Sequence, residues 1–184
     1  MLLLEKHGEK GYIGEGLSQK QHAVQSALLA EDYCEENNIL IKKDLVLAAL
    51  LHDIGHLLLY EDEKIEKMGD LGILHHEKQG AVYLKNLGYS DLVCKLVESH
   101  VKTKRYMISC DKNYYNNLSD ASKKTFNYQG GIMKLYEILN FEKNPLFKYF
   151  LKIREWDDMA KMTNPELLKK IDELTILDRY VKYL

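Results

Sequence analysis

The sequence predicts an all-α fold with a helical core of about six to eight helices. Apolar residues recur at helical spacing along most of the 184 residues, and alternating apolar-polar runs of strand type are missing. Capping residues bracket those helical runs, and only two prolines, Pro145 and Pro165, interrupt the chain. No low-complexity linker, internal repeat or shift of composition marks a second domain, so residues 1–184 are expected to form a single domain.

The first helix begins at Ser18, where Ser18-x-x-Gln21 is a capping box whose two side chains can each satisfy a free amide. It carries Val24, Ala27, Leu28 and Ala30 and frays at Asn37-Asn38. The second is expected behind Asp44 as N-cap and runs Leu45-Val46-Leu47-Ala48-Ala49-Leu50-Leu51. Being apolar on every face, it reads as the central buried helix, ending near His52-Asp53-Ile54-Gly55-His56. A third runs from about His76 to Leu87 and stops at Gly88, a left-handed C′ position. The fourth follows Ser90 and places Leu92, Val93, Leu96, Val97, His100 and Val101 on one stripe. The polar stretch Cys110 to Leu118 reads as a loop. A short helix from Ser119 leads to Gly130-Gly131, and another covers about Met133 to Leu139. One follows Pro145 to about Lys161, and the last starts with Asn164 as N-cap and Pro165 at its first turn.

Composition limits the function classes. Hydrophobic residues make up 46% and charged residues 29%, which excludes disorder as the main state. A net charge of -2 leaves no general basic field, so no nucleic-acid partner is expected. The longest apolar run, Leu45 to Leu51, is too short to cross a bilayer, and no membrane partner is expected. The first residues, Met1 to His7, lack the basic segment and long apolar stretch of a signal peptide. Cys34, Cys94 and Cys110 are odd in number and form no CxxC pair, so they read as free thiols in a reducing cytoplasm.

The seven histidines carry the chemical signal. His22, His52, His76 and His100 fall on different predicted helices beside apolar stripes, and Asp53 directly follows His52. One buried imidazole is an ordinary core feature. Four on core helices are costly without partners, and a metal site offers each ring one. Imidazole plus carboxylate is the ligand set of non-haem iron, manganese or zinc, and a carboxylate such as Asp53 has two oxygens that can bridge two metals. His56 lies one turn beyond His52, and His7 has no motif around it.

The order His22, His52-Asp53, His76, His100, Asp157 resembles the HD-domain superfamily, named for its His-Asp pair on a helical core. His52-Asp53-Ile54-Gly55 is similar to the common HDIG form of that pair, and His76-Glu77-Lys78-Gln79-Gly80-Ala81 resembles the second-histidine segment of members that bind two metals. Most members are phosphohydrolases; a minority are mixed-valent diiron oxygenases, some of which cleave 1-hydroxyphosphonates. Several segments resemble that phosphonate branch: Gly11-Tyr12-Ile13-Gly14-Glu15, Lys104 one turn after His100, Ser119 to Thr125 followed by Gln129-Gly130-Gly131, and Arg154-Glu155-Trp156-Asp157-Asp158. The resemblance covers about residues 11 to 162. Ile132 stands where proline is expected, and the interval from His22 to His52 is longer than in the pattern.

The resemblance implies two iron ions, active as an Fe(II)/Fe(III) pair, with O2 as co-substrate. One iron would take His22, His52, Asp53 and Asp157; the other would share Asp53 and add His76 and His100. Asp158 and His75 are the neighbouring alternatives to Asp157 and His76. Tyr12 would bind iron reversibly, Glu15 would meet a substrate ammonium, and Lys104, His56 and Arg154 would supply charge to a phosphonate. Ser122, Thr125 and Gln129 complete the substrate-binding residues, and Tyr12, Glu15 and Lys104 are the expected catalytic ones. The implied partner is a small phosphonate, first among them (R)-2-amino-1-hydroxyethylphosphonate, cleaved to glycine and phosphate. Hydroxymethylphosphonate and a trimethylammonio analogue remain open, and a metal-dependent phosphohydrolase is the alternative chemistry. An upstream 2-oxoglutarate-dependent hydroxylase would supply such a substrate.

Overall fold

The computed structural model describes residues 1–62 and 64–184. Among the described residues lie eleven α-helices and two 3-10 segments but no β-strand; extended backbone pairs only in the isolated bridges Gly11–Ser18 and Lys67–Ile73. The fold is all-α. No helix among the described residues is long and apolar enough to cross a membrane.

The helices are α1 (Leu2–His7), α2 (Gln19–Glu36), α3 (Lys42–Leu51), α4 (His76–Asn86), α5 (Asp91–Cys110) and α6 (Lys112–Asn117). They continue with α7 (Asp120–Tyr128), α8 (Leu135–Glu142), α9 (Phe147–Met159), α10 (Pro165–Asp172) and α11 (Ile176–Tyr180). The 3-10 segments are Ile54–Tyr60 and Val181–Tyr183. The count exceeds six to eight because α1 and α6 were not foreseen and the last helix is two, α10 and α11. The stretch read as a loop holds α6: Asp111 accepts from the Asn113 amide at 2.8 Å and caps it, and the helix buries no side chain, so it leaves no apolar period to read.

Several caps form as their sequence dictates. The Ser18 hydroxyl accepts from the Gln21 amide at 3.1 Å, while the Gln21 side chain accepts from the Ser18 amide at 2.8 Å. Gly88 takes φ +85 just beyond α4, and Asn164 caps α10 through the amides of Glu166 and Leu167. Asp44 is not the N-cap of α3. That helix begins behind Ile41, and Asp44, inside its first turn, accepts from the Ser90 hydroxyl at 2.5 Å.

Helix α3 is the hub. It packs against α2, α5 and α9, and every residue from Leu45 to Leu51 is buried. Each fully buried leucine there contributes about 1.5–3 kcal/mol. Helices α4 and α5 pack as a hairpin, with α4 also against the 3-10 segment. His7 belongs to this shell: it stacks on Tyr60 at 5.1 Å and bonds Glu61 at 2.5 Å.

Candidate metal centre and substrate pocket

Five helices and the turn that follows α3 deliver the site. His22 comes from α2, His52 caps the C-terminus of α3, Asp53 follows it, His76 opens α4, His100 lies midway along α5, and Asp157 ends α9. Gly55 explains how α4 comes so close to the His-Asp turn. A Cβ on Gly55 would lie 2.0 Å from the His76 carbonyl oxygen and 3.0 Å from the Gly80 amide. Gly80 is confined in turn, since its own Cβ would lie 3.1 Å from the Gly55 amide nitrogen. The two glycines form a backbone contact that seats His76 beside Asp53.

The imidazoles face one another through Nε2. His22 and His52 are 3.1 Å apart, and His76 and His100 are 2.9 Å apart. Each Nδ1 points at a carbonyl: Ala160 at 2.9 Å for His22, Ala49 at 2.8 Å for His52, Ile73 at 3.4 Å for His76 and Val97 at 2.7 Å for His100. Carbonyls only accept, so the ring protons sit on Nδ1 and the Nε2 lone pairs point inward. Two lone pairs at that separation repel unless a cation lies between them. Asp53 completes both halves: Oδ1 is 3.3 Å from His76 and from His100, and Oδ2 is 3.4 Å from His52 and 3.7 Å from His22. Asp157 Oδ1 adds to the second half, 3.5 Å from His22. The result is two groups of metal-binding atoms sharing one carboxylate, His22-His52-Asp53 and Asp53-His76-His100. The donor set fits two metal ions.

The neighbouring alternatives point elsewhere. His75 holds a left-handed backbone, φ +57, and its side chain is 53% exposed. Asp158 accepts from Tyr114 and Arg154 instead of facing the histidines.

The electrostatics also call for positive charge. Burial alone would raise the Asp53 carboxyl, but the charge of the neighbouring His52 holds it well below the usual carboxylate range. Burial would likewise lower His52, yet Asp53 and Asp157 raise it to about 9. Without metal the site therefore draws in a proton. Asp157 is also held low, by Arg154 against its own burial.

Beside the cluster is a cavity of about 60 Å³, lined among others by Tyr12, Asp53, His56, Lys104, Thr125 and Arg154. Tyr12 stacks on His22 at 4.0 Å, and burial together with Asp53 and Asp157 raises its phenol far above its ordinary range. The loop that carries Tyr12 is tied down. Tyr12 donates to the Leu17 carbonyl at 2.8 Å, and Gly14, at φ +76, lies where a Cβ would reach within 2.7 Å of Ala121 on α7. Lys104 is buried and donates to Thr125 Oγ1 at 2.9 Å and to the Ser122 carbonyl at 3.4 Å. Burial, then Arg154, lowers its amine to about 7. Gln129 also lines the cavity, and its side-chain oxygen is buried without a donor.

Two residues differ from the charge roles expected of them. His56 stacks on His76 at 3.8 Å and accepts from the Ile73 amide at 3.2 Å. Burial and the surrounding histidines push its pKa well below the usual range, so it is a neutral donor through Nε2 and not a cation. Arg154 already has partners. Its Nη1 donates to Asp157 Oδ2 at 2.5 Å, its Nη2 to Asp158, and its Nε to the Tyr114 hydroxyl at 2.9 Å. Its charge is met by two carboxylates before any anion arrives. Sequence reasoning missed Tyr114, which it assigned to a loop, and gave Lys161 no role although its spacing from Asp157 was visible.

This fold and site define an all-α metal-binding protein built around a shared His-Asp pair. The chain belongs to the HD-domain family, whose pattern matches residues 20–182. An uncharacterized protein of Acanthamoeba polyphaga mimivirus is 40% identical over 90% of this chain and 72% of its own length. The [1-hydroxy-2-(trimethylamino)ethyl]phosphonate dioxygenase (glycine-betaine-forming) of Leisingera caerulea is 32% identical over 89% of this chain and 79% of its own. A hydroxymethylphosphonate dioxygenase of Gimesia maris is 37% identical over 87% and 75% respectively.

Proposed function

We propose that this protein is an iron- and O2-dependent oxygenase that cleaves the C–P bond of a small 1-hydroxyphosphonate. The products are the corresponding carboxylic acid and phosphate, which together contain every atom of the substrate and of one O2. The observation that carries the reading is the pairing of a shared-carboxylate metal centre with a buried lysine that makes no ion pair among the described residues, both lining one small cavity. Two relatives named as phosphonate dioxygenases, each similar over most of this chain, support it.

Two irons bound at Asp53, one ferrous and one ferric, would supply the one-electron chemistry that lets O2 attack a C–H bond. The protein's own groups do the rest. Lys104 and Thr125 hold the phosphonate oxygens by charge-assisted and neutral hydrogen bonds. The first residues of α7, Ser119 and Ser122 among them, line the same wall and place the positive end of the helix toward the anion. His56 offers a neutral Nε2–H. Tyr12, stacked on His22, closes the cavity on the metal side and limits water. Arg154 fixes Asp157 in place.

The test is phosphate release with oxygen uptake. Iron-loaded protein should release phosphate from hydroxymethylphosphonate or 2-amino-1-hydroxyethylphosphonate only under oxygen. It should show an EPR signal with all g values below 2 when partly reduced. Oxygen-independent hydrolysis of phosphomonoesters, with no oxygen uptake on either phosphonate, would instead assign the chain to the hydrolases.

A further inference from the structure

Glu15, which the sequence matched to a substrate ammonium, already faces an ammonium of the protein. Lys161 Nζ lies 3.6 Å from Glu15 Oε1, with the two side chains only 17% and 18% exposed. The separation is too long for a hydrogen bond, and Glu15 Oε1 is buried without a donor. The pair is therefore held by charge alone.

Its location is well defined. Glu15 and Lys161 both line the cavity of about 60 Å³ beside Asp53, and both also line a neighbouring cavity of about 300 Å³. They stand at the junction of the two. The segments that carry them both contact the same histidine. Tyr12, three residues before Glu15, stacks on His22, and the carbonyl of Ala160, next to Lys161, accepts from His22 Nδ1 at 2.9 Å. The pair thus lines the same cavity as Asp53.

A carboxylate there would attract a cationic tail only if it were unopposed. A second ammonium would have to share Glu15 with Lys161, bringing two like charges together in a poorly solvated space.

We propose that Lys161 sets the charge that a substrate's tail can carry. By offsetting Glu15 it makes the pocket select a 1-hydroxyphosphonate with an uncharged tail and disfavour an ammonium. This rests on the phosphonate reading above.

The experiment uses iron-loaded protein under nitrogen and calorimetric titration with three probes: methylphosphonate, 2-aminoethylphosphonate and phosphonoacetate. Wild type should prefer methylphosphonate. Lys161→Met frees Glu15 and should shift the preference toward 2-aminoethylphosphonate by about tenfold or more, the worth of one charge-assisted contact. Glu15→Gln frees Lys161 and should shift preference by a similar factor the opposite way, toward the carboxylate of phosphonoacetate. The double variant should lose both shifts. A salt bridge with only a structural role would weaken all three probes alike, so constant ratios in both single variants overturn the proposal. A wild type that already prefers the ammonium also overturns it. Failure of all three probes to bind any variant rejects the phosphonate reading itself, and the proposal with it.

Discussion

Gly55→Ala tests the close contact on which the metal centre depends. The added Cβ would stand 2.0 Å from the His76 carbonyl oxygen and 2.7 Å from its carbon, both backbone atoms that cannot rotate away. Since Cβ atoms essentially never approach within 3.0 Å of another atom, the start of α4 must retreat by at least about 1 Å. That movement acts directly on His76, whose Nε2 is 3.3 Å from Asp53 Oδ1 and 2.9 Å from His100 Nε2. Overpacking of this kind costs roughly 3 kcal/mol. For a domain of this size that lowers the melting temperature by about 6–12 °C. The assay is thermal unfolding of metal-free protein followed by circular dichroism, with iron stoichiometry measured on the loaded protein. The half of the centre built on His76 and His100 should lose its metal affinity, while the half built on His22, His52 and Asp157 keeps more of its own. A variant that melts with wild type and binds full iron would refute the close approach of α4 to the His-Asp turn.

Other outcomes follow from the same geometry. Lys104→Met should weaken methylphosphonate binding by about 1.5–3 kcal/mol in calorimetry while leaving iron content near wild type, because Lys104 touches Thr125 and Ser122 and no metal-binding atom. Lys104, with its pKa lowered to about 7, is charged below that pH and neutral above it. Wild-type affinity measured against Lys104→Arg, which stays charged, should therefore fall as pH rises through 7, and a flat ratio would contradict this. Asp53→Asn should cost both metals, since one oxygen serves each half, whereas His100→Ala should cost one; metal analysis separates the two cases. Arg154→Met strands the buried Asp157 carboxylate and should destabilise the metal-free protein by about 3–5 kcal/mol, with iron restoring part of the loss. Thermal unfolding with and without iron would show whether it does.

The parts of this protein that read clearly from sequence are those governed by local rules. The Ser18 box, the Asn164-Pro165 start of α10 and the left-handed Gly88 depend on neighbours within a few residues, and all three form. The buried histidines were visible for a related reason, because His22 and His100 sit among apolar residues on long helices and His52 and His76 stand at helix ends beside apolar runs. Helix α6 escaped notice because it buries nothing and so leaves no period. Tyr114 beside Arg154 and Lys161 beside Glu15 were hidden for a different reason. Tyr114 is 40 residues from Arg154, and Lys161 is remote from Glu15 in sequence although the two meet in the fold. No local pattern records which charges meet once the helices pack, so a surface role and a buried ion pair look alike in the sequence. The same holds for His56, whose neutrality is set by the ring it stacks on.

The sharing of Asp53 has a consequence for the order in which the protein is made. His76 and His100 sit on one helical hairpin and are close in sequence, so their half of the centre closes over a short loop. The other half spans most of the molecule: His22 waits for the carbonyl of Ala160, 138 residues later, and for Asp157 from α9. A chain emerging from the ribosome can therefore pair its later histidines long before its first histidine finds a partner. The half that includes the earliest ligand cannot close until α9 has emerged.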